Sequence, residues 1–229
     1  MSEAKLKVRL INKDQVKDLF KTWGEFACLC YDTDKKYAER VGKSCFKTGH
    51  YSGSRAVSFI FEVEGISRAC SHQLVRHSVG VTINQRSQRY CDEGNFDFII
   101  PPSIKRNEKA LEIFYSCMED IKLNYNLLKE TLSDDLQGEE LNQDIRSILP
   151  NACETKLTIG FTLEALIHFM NERLCTAAQL EIRNLAKAMK KEVISVLPEL
   201  EEKLNPKCVY LGFCPESEKR CCGRYKTRK

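Results

Sequence analysis

The stretch SHQLVRHSVGVTINQRSQRY, residues 71–90, concentrates side chains that could bind an anion. Its three arginines cannot serve as general bases because a guanidinium stays protonated, but their donor forks match phosphate and carboxylate groups. Helical spacing would place Gln73, Arg76 and His77 on one face. The residue types therefore predict a site for an anionic ligand such as a nucleotide, and a solvated basic turn is the alternative. Ser87 has no histidine or lysine fixed beside it, so we expect a hydrogen-bonding group and not a nucleophile.

The order of these residues resembles the signature of the flavin-dependent thymidylate synthases, an Arg-His-Arg followed after seven residues by Ser and usually by x-Arg-Tyr. Here Arg76-His77 is followed by Asn84 to Tyr90. A second similar stretch begins at Arg146 and continues through HFMNERLCTAAQLEIRNLA, residues 168–186. A third, weaker match is Gly49-His50-Tyr51-Ser52. The matches occur in the family's order along the chain.

The resemblance implies an enzyme that methylates dUMP to dTMP. Methylenetetrahydrofolate would supply the carbon, and reduced FAD, recharged by NADPH, would supply the hydride. The family uses no obligate protein nucleophile and assembles as a homotetramer. A related enzyme that modifies another pyrimidine nucleotide, for example by hydroxymethylation, is the alternative reading.

The resemblance also assigns residues by position. Arg173 would be the catalytic residue, reaching dUMP from a neighbouring subunit and stabilising negative charge on the uracil ring. His50 would lie near the flavin ring and the folate. The other implied dUMP contacts are Gln73, Leu74, Val75, Arg76, Gln85, Arg86, Ser87, Gln88, Arg89 and Arg146. The implied FAD contacts are Ser52, Arg76, His77, Ser78, Gln85, Thr162, Leu163, Glu164 and His168.

Three features depart from the family's pattern. Ser78 stands where the signature has its second Arg, and the segment leading to Asn84 is one residue longer than usual. Arg55-Ala56 replaces a Glu-His pair, and Glu164 ends a triplet that is commonly Asn-x-Arg. The exchange of acid for base at position 55 and base for acid at position 164 predicts an ion pair of reversed polarity beside the flavin. Independent drift at both positions is the alternative.

Composition places the chain among globular proteins. Of 229 residues, 42% are hydrophobic and 30% charged, enough for a core and too apolar for a disordered chain. The net charge of +4 is too small to indicate nucleic-acid binding. The N-terminal segment lacks the apolar region of a secretory signal, and no apolar run is long enough to span a membrane. We therefore expect a cytoplasmic protein with no membrane partner.

Local patterns predict the α+β class, with an antiparallel or mixed sheet packed against long helices. Residues 56–65 alternate apolar and polar side chains and are predicted to form a strand ended by Gly65. Residues 95–101 are predicted as another strand, so strands lie mostly in the N-terminal half. Helical periodicity is expected at residues 14–30, ending near Gly24, and at 33–47, 66–77, 108–132, 141–149, 162–191 and 192–204. Residues 1–207 are interpreted as the catalytic domain and 208–229 as a cysteine-rich basic tail.

The chain has twelve cysteines, which we expect to be reduced thiols in the absence of a secretory signal. Cys208, Cys214, Cys221 and Cys222 cluster near the C-terminus and could bind zinc. Their separations by five, six and no intervening residues differ from those of zinc ribbons, so we predict no metal, with zinc as the alternative. A nucleic-acid-binding role for the basic tail is the third reading, but terminal charge runs are usually only solvated.

Overall fold

The chain folds into two compact units, as described by a computed structural model of residues 2–228. Unit 1 comprises the segment up to Lys7 together with Val63–Gln73 and Asn84–Leu157. Unit 2 comprises Val8–Glu62, Leu74–Ile83 and the chain from Thr158 onward. Each unit therefore combines segments that are distant in sequence.

Four strands and ten α-helices are assigned within residues 2–228. The strands are β1 (Lys7–Leu10), β2 (Ser58–Ser67), β3 (Val81–Gln85) and β4 (Glu154–Thr162). The helices are α1 (Lys13–Lys17), α2 (Leu19–Cys30), α3 (Ala38–Thr48), α4 (Arg68–Leu74), α5 (Pro102–Lys105), α6 (Glu108–Leu132), α7 (Gly138–Ile145), α8 (Leu163–Arg173), α9 (Leu180–Ile194) and α10 (Lys207–Leu211). Short 3₁₀ helices lie at Lys35–Tyr37, Tyr51–Ala56, Arg146–Ile148 and Pro198–Glu202.

The strands form one antiparallel sheet in the order β1-β2-β4-β3. Along β2 the side chains alternate between buried and more exposed positions, as a strand with one covered face requires. β4 follows the same alternation. This combination of sheet and helices confirms the predicted α+β class.

Each unit has its own apolar core. In unit 1, α6 packs against a cluster that contains Phe96, Phe98 and Met118. In unit 2, Phe20 and Trp23 of α2 contact Phe46 of α3, with ring centroids 5.6 and 6.4 Å apart.

Two glycines do not end elements as predicted. Gly24 lies inside α2, where a Cβ would come within 1.6 Å of the Ala38 carbonyl oxygen, so the glycine permits close helix packing. Gly65 lies inside β2 with φ of +72°, and a Cβ there would be 2.0 Å from the Lys5 carbonyl oxygen. Close backbone approach therefore explains both glycines, and the elements continue through them.

The predicted strand at residues 95–101 is wrong, since only isolated bridges form there, from Phe98 to Glu3 and to Cys153. The strand β4 was not expected from the sequence. The predicted helix at 162–191 is interrupted between Arg173 and Leu180, which separates α8 from α9. The long helix predicted at 108–132 matches α6 and is confirmed. Within residues 2–228, no helix combines the length and apolar character needed to cross a bilayer.

Candidate active site

A cavity of about 520 Å³ in unit 2 brings together several of the residues singled out above. It is bordered by the segment that joins α4 to β3, by the first turns of α8 and by Arg55. Its apolar lining includes Val79, whose side chain is 89% exposed. The lining residues are Arg55, Arg76, His77, Ser78, Val79, Gly80, Val81, Thr162, Glu164, Ala165 and His168.

The beginning of α8 is set by Thr162, which caps the helix. Its hydroxyl accepts a hydrogen bond from the Ala165 N–H at 3.3 Å and so satisfies a donor that the helix leaves unpaired. Glu164 in the first turn and Arg173 in the last turn have the charges that the helix dipole favours at those ends. Helical spacing also places Glu164 and His168 on one face.

The segment before β3 is fixed against this cap through Gly80. The Gly80 carbonyl accepts a hydrogen bond from the Thr162 N–H at 2.9 Å. Gly80 has φ of +70°, and a Cβ there would lie 2.6 Å from the Thr162 hydroxyl oxygen. Any larger residue would therefore be strained and would push the two walls of the cavity apart.

Beside the cavity, His77 and Arg173 are joined directly. The Arg173 Nε–H donates a hydrogen bond to His77 Nε2 at 2.9 Å. Accepting this bond requires a lone pair on Nε2, so His77 is neutral and carries its proton on Nδ1. The imidazole also makes edge contacts with the rings of His168, at 5.9 Å, and Phe169, at 5.1 Å.

The surroundings of His77 favour this neutral form. Burial, followed by the positive charge of Arg173 and by the neighbouring His168, lowers the His77 pKa to about 4, while Glu172 opposes them. Arg173 stays protonated, so the pair carries a single positive charge on the guanidinium. The Nε–H is used by His77, which leaves the other guanidinium N–H groups for a ligand.

Arg55 and Glu164 meet at the rim of the cavity, as the exchanged charges in the sequence predicted. The Arg55 Nε donates to Glu164 Oε2 at 2.6 Å, although the residues are 109 positions apart. The hydrogen bond to Glu164, followed by its negative charge, raises the pKa of Arg55. Both side chains are partly exposed, at 65% and 38%, so the ion pair adds little to the free energy of unfolding. Its main effect is to hold the two charged groups in place at the rim.

In unit 1, Gln85 and Arg86 are held by neighbouring polar groups. The Gln85 amide donates to Ser71 Oγ and Thr155 Oγ1, both at 3.0 Å. The Arg86 Nε lies 3.6 Å from Glu93 Oε1. Burial raises the Glu93 pKa, and the charge of Arg86 opposes that rise. Arg86 also faces a unit 1 cavity of about 470 Å³ lined by several lysines and carboxylates.

The next three residues have distinct surroundings. Gln88 is buried and its amide donates to Cys153 Sγ at 3.7 Å. Ser87 Oγ accepts from the Arg89 N–H at 3.2 Å, a local contact that fixes the turn. The exposed Arg89 guanidinium lies 3.4 Å from Glu139 Oε2. Of these residues, Arg89 has the most accessible donors for an anion.

The remaining implied site residues are distributed more widely. His50 and Ser52 line a different cavity of unit 2, beside Trp23. Leu74 is fully buried, so only its backbone could contact a ligand, whereas Val75 is 42% exposed. Arg146 is exposed in the turn after α7, Gln73 lies in α4, and Leu163 is buried at the start of α8. Their ligand contacts stay predictions.

Sequence reasoning missed two groups that shape these sites. Glu93 is 3% exposed and lies beside Arg86. Its segment, CDEGN, is acidic and contains glycine, a composition typical of a solvated loop. Phe169 packs its ring against His77, with the ring centroids 5.1 Å apart. Neither residue carries a local pattern that distinguishes its role. Among residues 2–228, no three or more His, Cys, Asp or Glu side chains are already arranged to hold a metal ion.

Comparison with known proteins gives a consistent family. The family model described as thymidylate synthase complementing protein matches residues 9–199. A flavin-dependent thymidylate synthase of Nitratidesulfovibrio vulgaris is 43% identical over 187 residues, covering 81% of this chain and 76% of that protein. One of Thermococcus onnurineus is 33% identical over 240 residues, covering 98% and 95%.

The fold is also similar to a solved structure. The crystal structure of thymidylate synthase X from Helicobacter pylori with FAD and dUMP matches with a TM-score of 0.63 and 18% identity. The match covers 87% of this chain and 99% of that one. At this identity the likeness shows a shared fold, and the ligands belong to that protein.

The neutral state of His77 predicts how stability depends on pH. The unfolded chain binds a proton at the ordinary histidine pKa of 6.5, whereas the folded chain resists it down to about 4. Stability contributed by this group is therefore present above pH 6.5 and is lost as the pH falls toward 4, by at most about 3.5 kcal/mol at about 1.4 kcal/mol per pKa unit.

Replacing His77 with Asn should remove that part of the dependence. Denaturant unfolding of the wild type and His77→Asn, measured between pH 4 and 7, should show a flatter profile for the variant. The same substitution at the exposed His72 controls for the loss of a histidine as such. Parallel profiles for the wild type and His77→Asn would contradict the assigned neutral state.

Proposed function

The chain belongs to the family of flavin-dependent thymidylate synthases, and on that premise we propose that it methylates dUMP to dTMP. Methylenetetrahydrofolate is the carbon donor, and FAD, reduced by NADPH, supplies the hydride when bound. The observation that carries the proposal is the hydrogen bond between His77 and Arg173 at 2.9 Å. It joins the two stretches whose residues separately resemble the family. We also propose a cytoplasmic location, which suits the twelve free thiols.

The residues bordering the unit 2 cavity fit a flavin nucleotide. Val79, Val81 and Ala165 offer apolar surface for a planar ring, and the guanidinium groups of Arg55 and Arg76 offer charge for phosphates. Ser78 lies beside them where the family has an arginine. Arg55 therefore becomes the more important cation of this rim, and Glu164 orients it.

The arginines of the proposed nucleotide site differ in how they are held. Arg89 and Arg146 of unit 1 are exposed and can bind the dianionic phosphate of dUMP through charge-assisted hydrogen bonds. Arg86 is oriented by the buried Glu93, so it supplies a fixed donor fork. Gln85 is similarly oriented by Ser71 and Thr155.

Arg173 is proposed to stabilise negative charge that develops on the uracil ring. A cation already held by His77 does not need to reorganise as that charge forms, which is the condition for effective electrostatic catalysis. Because His77 is neutral above pH 4, it orients Arg173 without adding a second charge beside it. His77 is therefore a positioning group for the guanidinium.

We propose a homotetramer, supported by the exposed apolar residues of α6. Ile113, Leu123 and Leu127 of this helix are 66%, 68% and 56% exposed. Exposed apolar side chains that lie together on a surface often mark a site where another protein chain binds. An assembly of copies would bury them and would allow Arg173 to serve a neighbouring subunit.

Charges placed on α6 should weaken the assembly. The double variant Leu123→Asp with Leu127→Asp should shift the mass measured by light scattering from four chains toward smaller species, because carboxylates oppose burial. Asn124→Asp adds a charge on the same helix without removing apolar surface and is the control. A tetramer unchanged by the double variant would place the interface elsewhere.

The Arg55–Glu164 pair can be tested by exchanging its charges. Glu164→Arg alone sets two cations against each other and should weaken FAD binding by roughly tenfold, as expected for a contacting pair. Adding Arg55→Glu should restore most of the affinity, measured by quenching of flavin fluorescence. Exchange of the exposed Glu39–Lys43 pair of α3, 2.7 Å apart, is the matched control. Additive losses in the double variant would refute the pairing.

The proposed reaction is tested by combining binding and turnover. A bound flavin spectrum that shifts with dUMP, together with tritium release from dUMP labelled at C5 and formation of dTMP, is expected. Arg173→Ala should lower kcat by roughly 100-fold to 1,000-fold, the range for loss of one preorganised electrostatic donor. Arg40→Ala on the exposed surface of α3 is the control. A hydroxymethylated product, or a protein that binds dUMP but no FAD, would contradict the proposal.

A further inference from the structure

The C-terminal segment of residues 205–228, here called the tail, has little apolar core of its own. Its regular structure is the short helix α10 and a single bridge between Cys214 and Thr227. Within this segment the two buried side chains are Cys208 and Cys214. Small segments without a core usually depend on a disulfide or a metal, and all twelve cysteines are free thiols.

The tail cysteines converge with a cysteine from the body of unit 2. A cavity of about 160 Å³ is lined by Cys175, Cys208, Cys214 and Cys222. Cys175 follows the end of α8, so the thiols come from segments separated by more than thirty residues of chain.

We propose that Cys175, Cys208, Cys214 and Cys222, which line one cavity, bind one Zn²⁺ through four thiolates. Zinc favours sulfur ligands in a closed tetrahedral site when its role is structural. Cys221 does not line that cavity. Its sulfur accepts a hydrogen bond from the Gly223 N–H at 3.4 Å and donates one to the Tyr225 carbonyl oxygen at 3.3 Å, and two adjacent cysteines rarely reach one ion. Cys221 therefore lies beside the metal and does not bind it.

Metal binding requires modest rearrangement, because the described residues hold no set of three ligands already in place. Rotation about the Cα–Cβ bonds moves a sulfur between staggered positions without moving the backbone. Four thiolates around Zn²⁺ leave a net charge of −2. Lys207 and Arg220 line the same cavity, where they pair with Glu172 and Glu216. The donor set suits a tetrathiolate site.

The site would fix the segment that follows Arg173. Lys207 Nζ lies 3.2 Å from Glu172 Oε1, and the Arg220 guanidinium donates to the Ala177 carbonyl at 3.5 Å. Zinc held between Cys175 and the tail would add a covalent-strength link to these weak polar contacts. The role assigned to the metal is structural, and it stands whether or not the proposed reaction is correct.

The test begins with the wild-type chain, purified under reducing conditions. Elemental analysis should give about one zinc per chain, and Co²⁺ exchanged for it should give the sulfur-to-cobalt charge-transfer absorption of a tetrahedral thiolate site. Alkylation followed by mass spectrometry should show four thiols protected with Zn²⁺ present and reactive after chelation. Absence of zinc from the reduced protein, or a disulfide among the tail cysteines, would overturn the proposal.

Variants then identify the ligands. Cys208→Ser and Cys175→Ser should each weaken zinc binding by at least about tenfold. Loss of a residue that only supports a metal ligand already weakens binding by about that much, so loss of a ligand itself should do no less. Cys221→Ser should retain the metal, as should Cys30→Ser at an exposed position of α2, the control for removing a thiol. Retention of zinc by Cys208→Ser with wild-type affinity would refute the assigned ligand set. If a variant fails to fold, the number of thiols that zinc protects from alkylation in the wild-type chain decides the question instead.

Discussion

A hydrogen bond between a permanent cation and a neutral imidazole defines the electrostatic state of the candidate active site. Arg173 donates to His77 Nε2, which must keep its lone pair to accept the bond. Burial and the neighbouring positive charge favour that neutral form by lowering the His77 pKa to about 4. One positive charge therefore remains, oriented on a guanidinium that cannot lose it. The proposed stabilisation of a developing negative charge depends on this arrangement.

The backbone positions this pair through a few local constraints. Thr162 caps α8 and contacts Gly80 through its N–H, so the segment that carries His77 is fixed at the start of the helix that carries Arg173. The left-handed conformation of Gly80 allows that approach. Arg55 and Glu164 border the same cavity with charges that neutralise each other. The acid and the base at positions 55 and 164 can therefore be exchanged while the ion pair between them is kept.

Local periodicity predicted the elements that have a strong pattern of their own. The helix α6 was expected from its apolar spacing, and β2 from its alternation, apart from its extension beyond Gly65. β4 was missed because a strand is stabilised by partners distant in sequence, here β2 and β3, and a short apolar run alone does not distinguish it from a buried helix. Gly24 was misjudged for a related reason, since its role depends on the backbone of another helix.

The sequence by itself determined the family, the residue types of the candidate site and the reversed charges at Arg55 and Glu164. Only the tertiary structure decided that Gln88 is buried against Cys153, that Glu93 lies beneath Arg86, and that Cys175 joins the tail cysteines. It also decided the protonation state of His77. Burial and the distance between charges set these properties, and both arise when segments far apart in the chain come together.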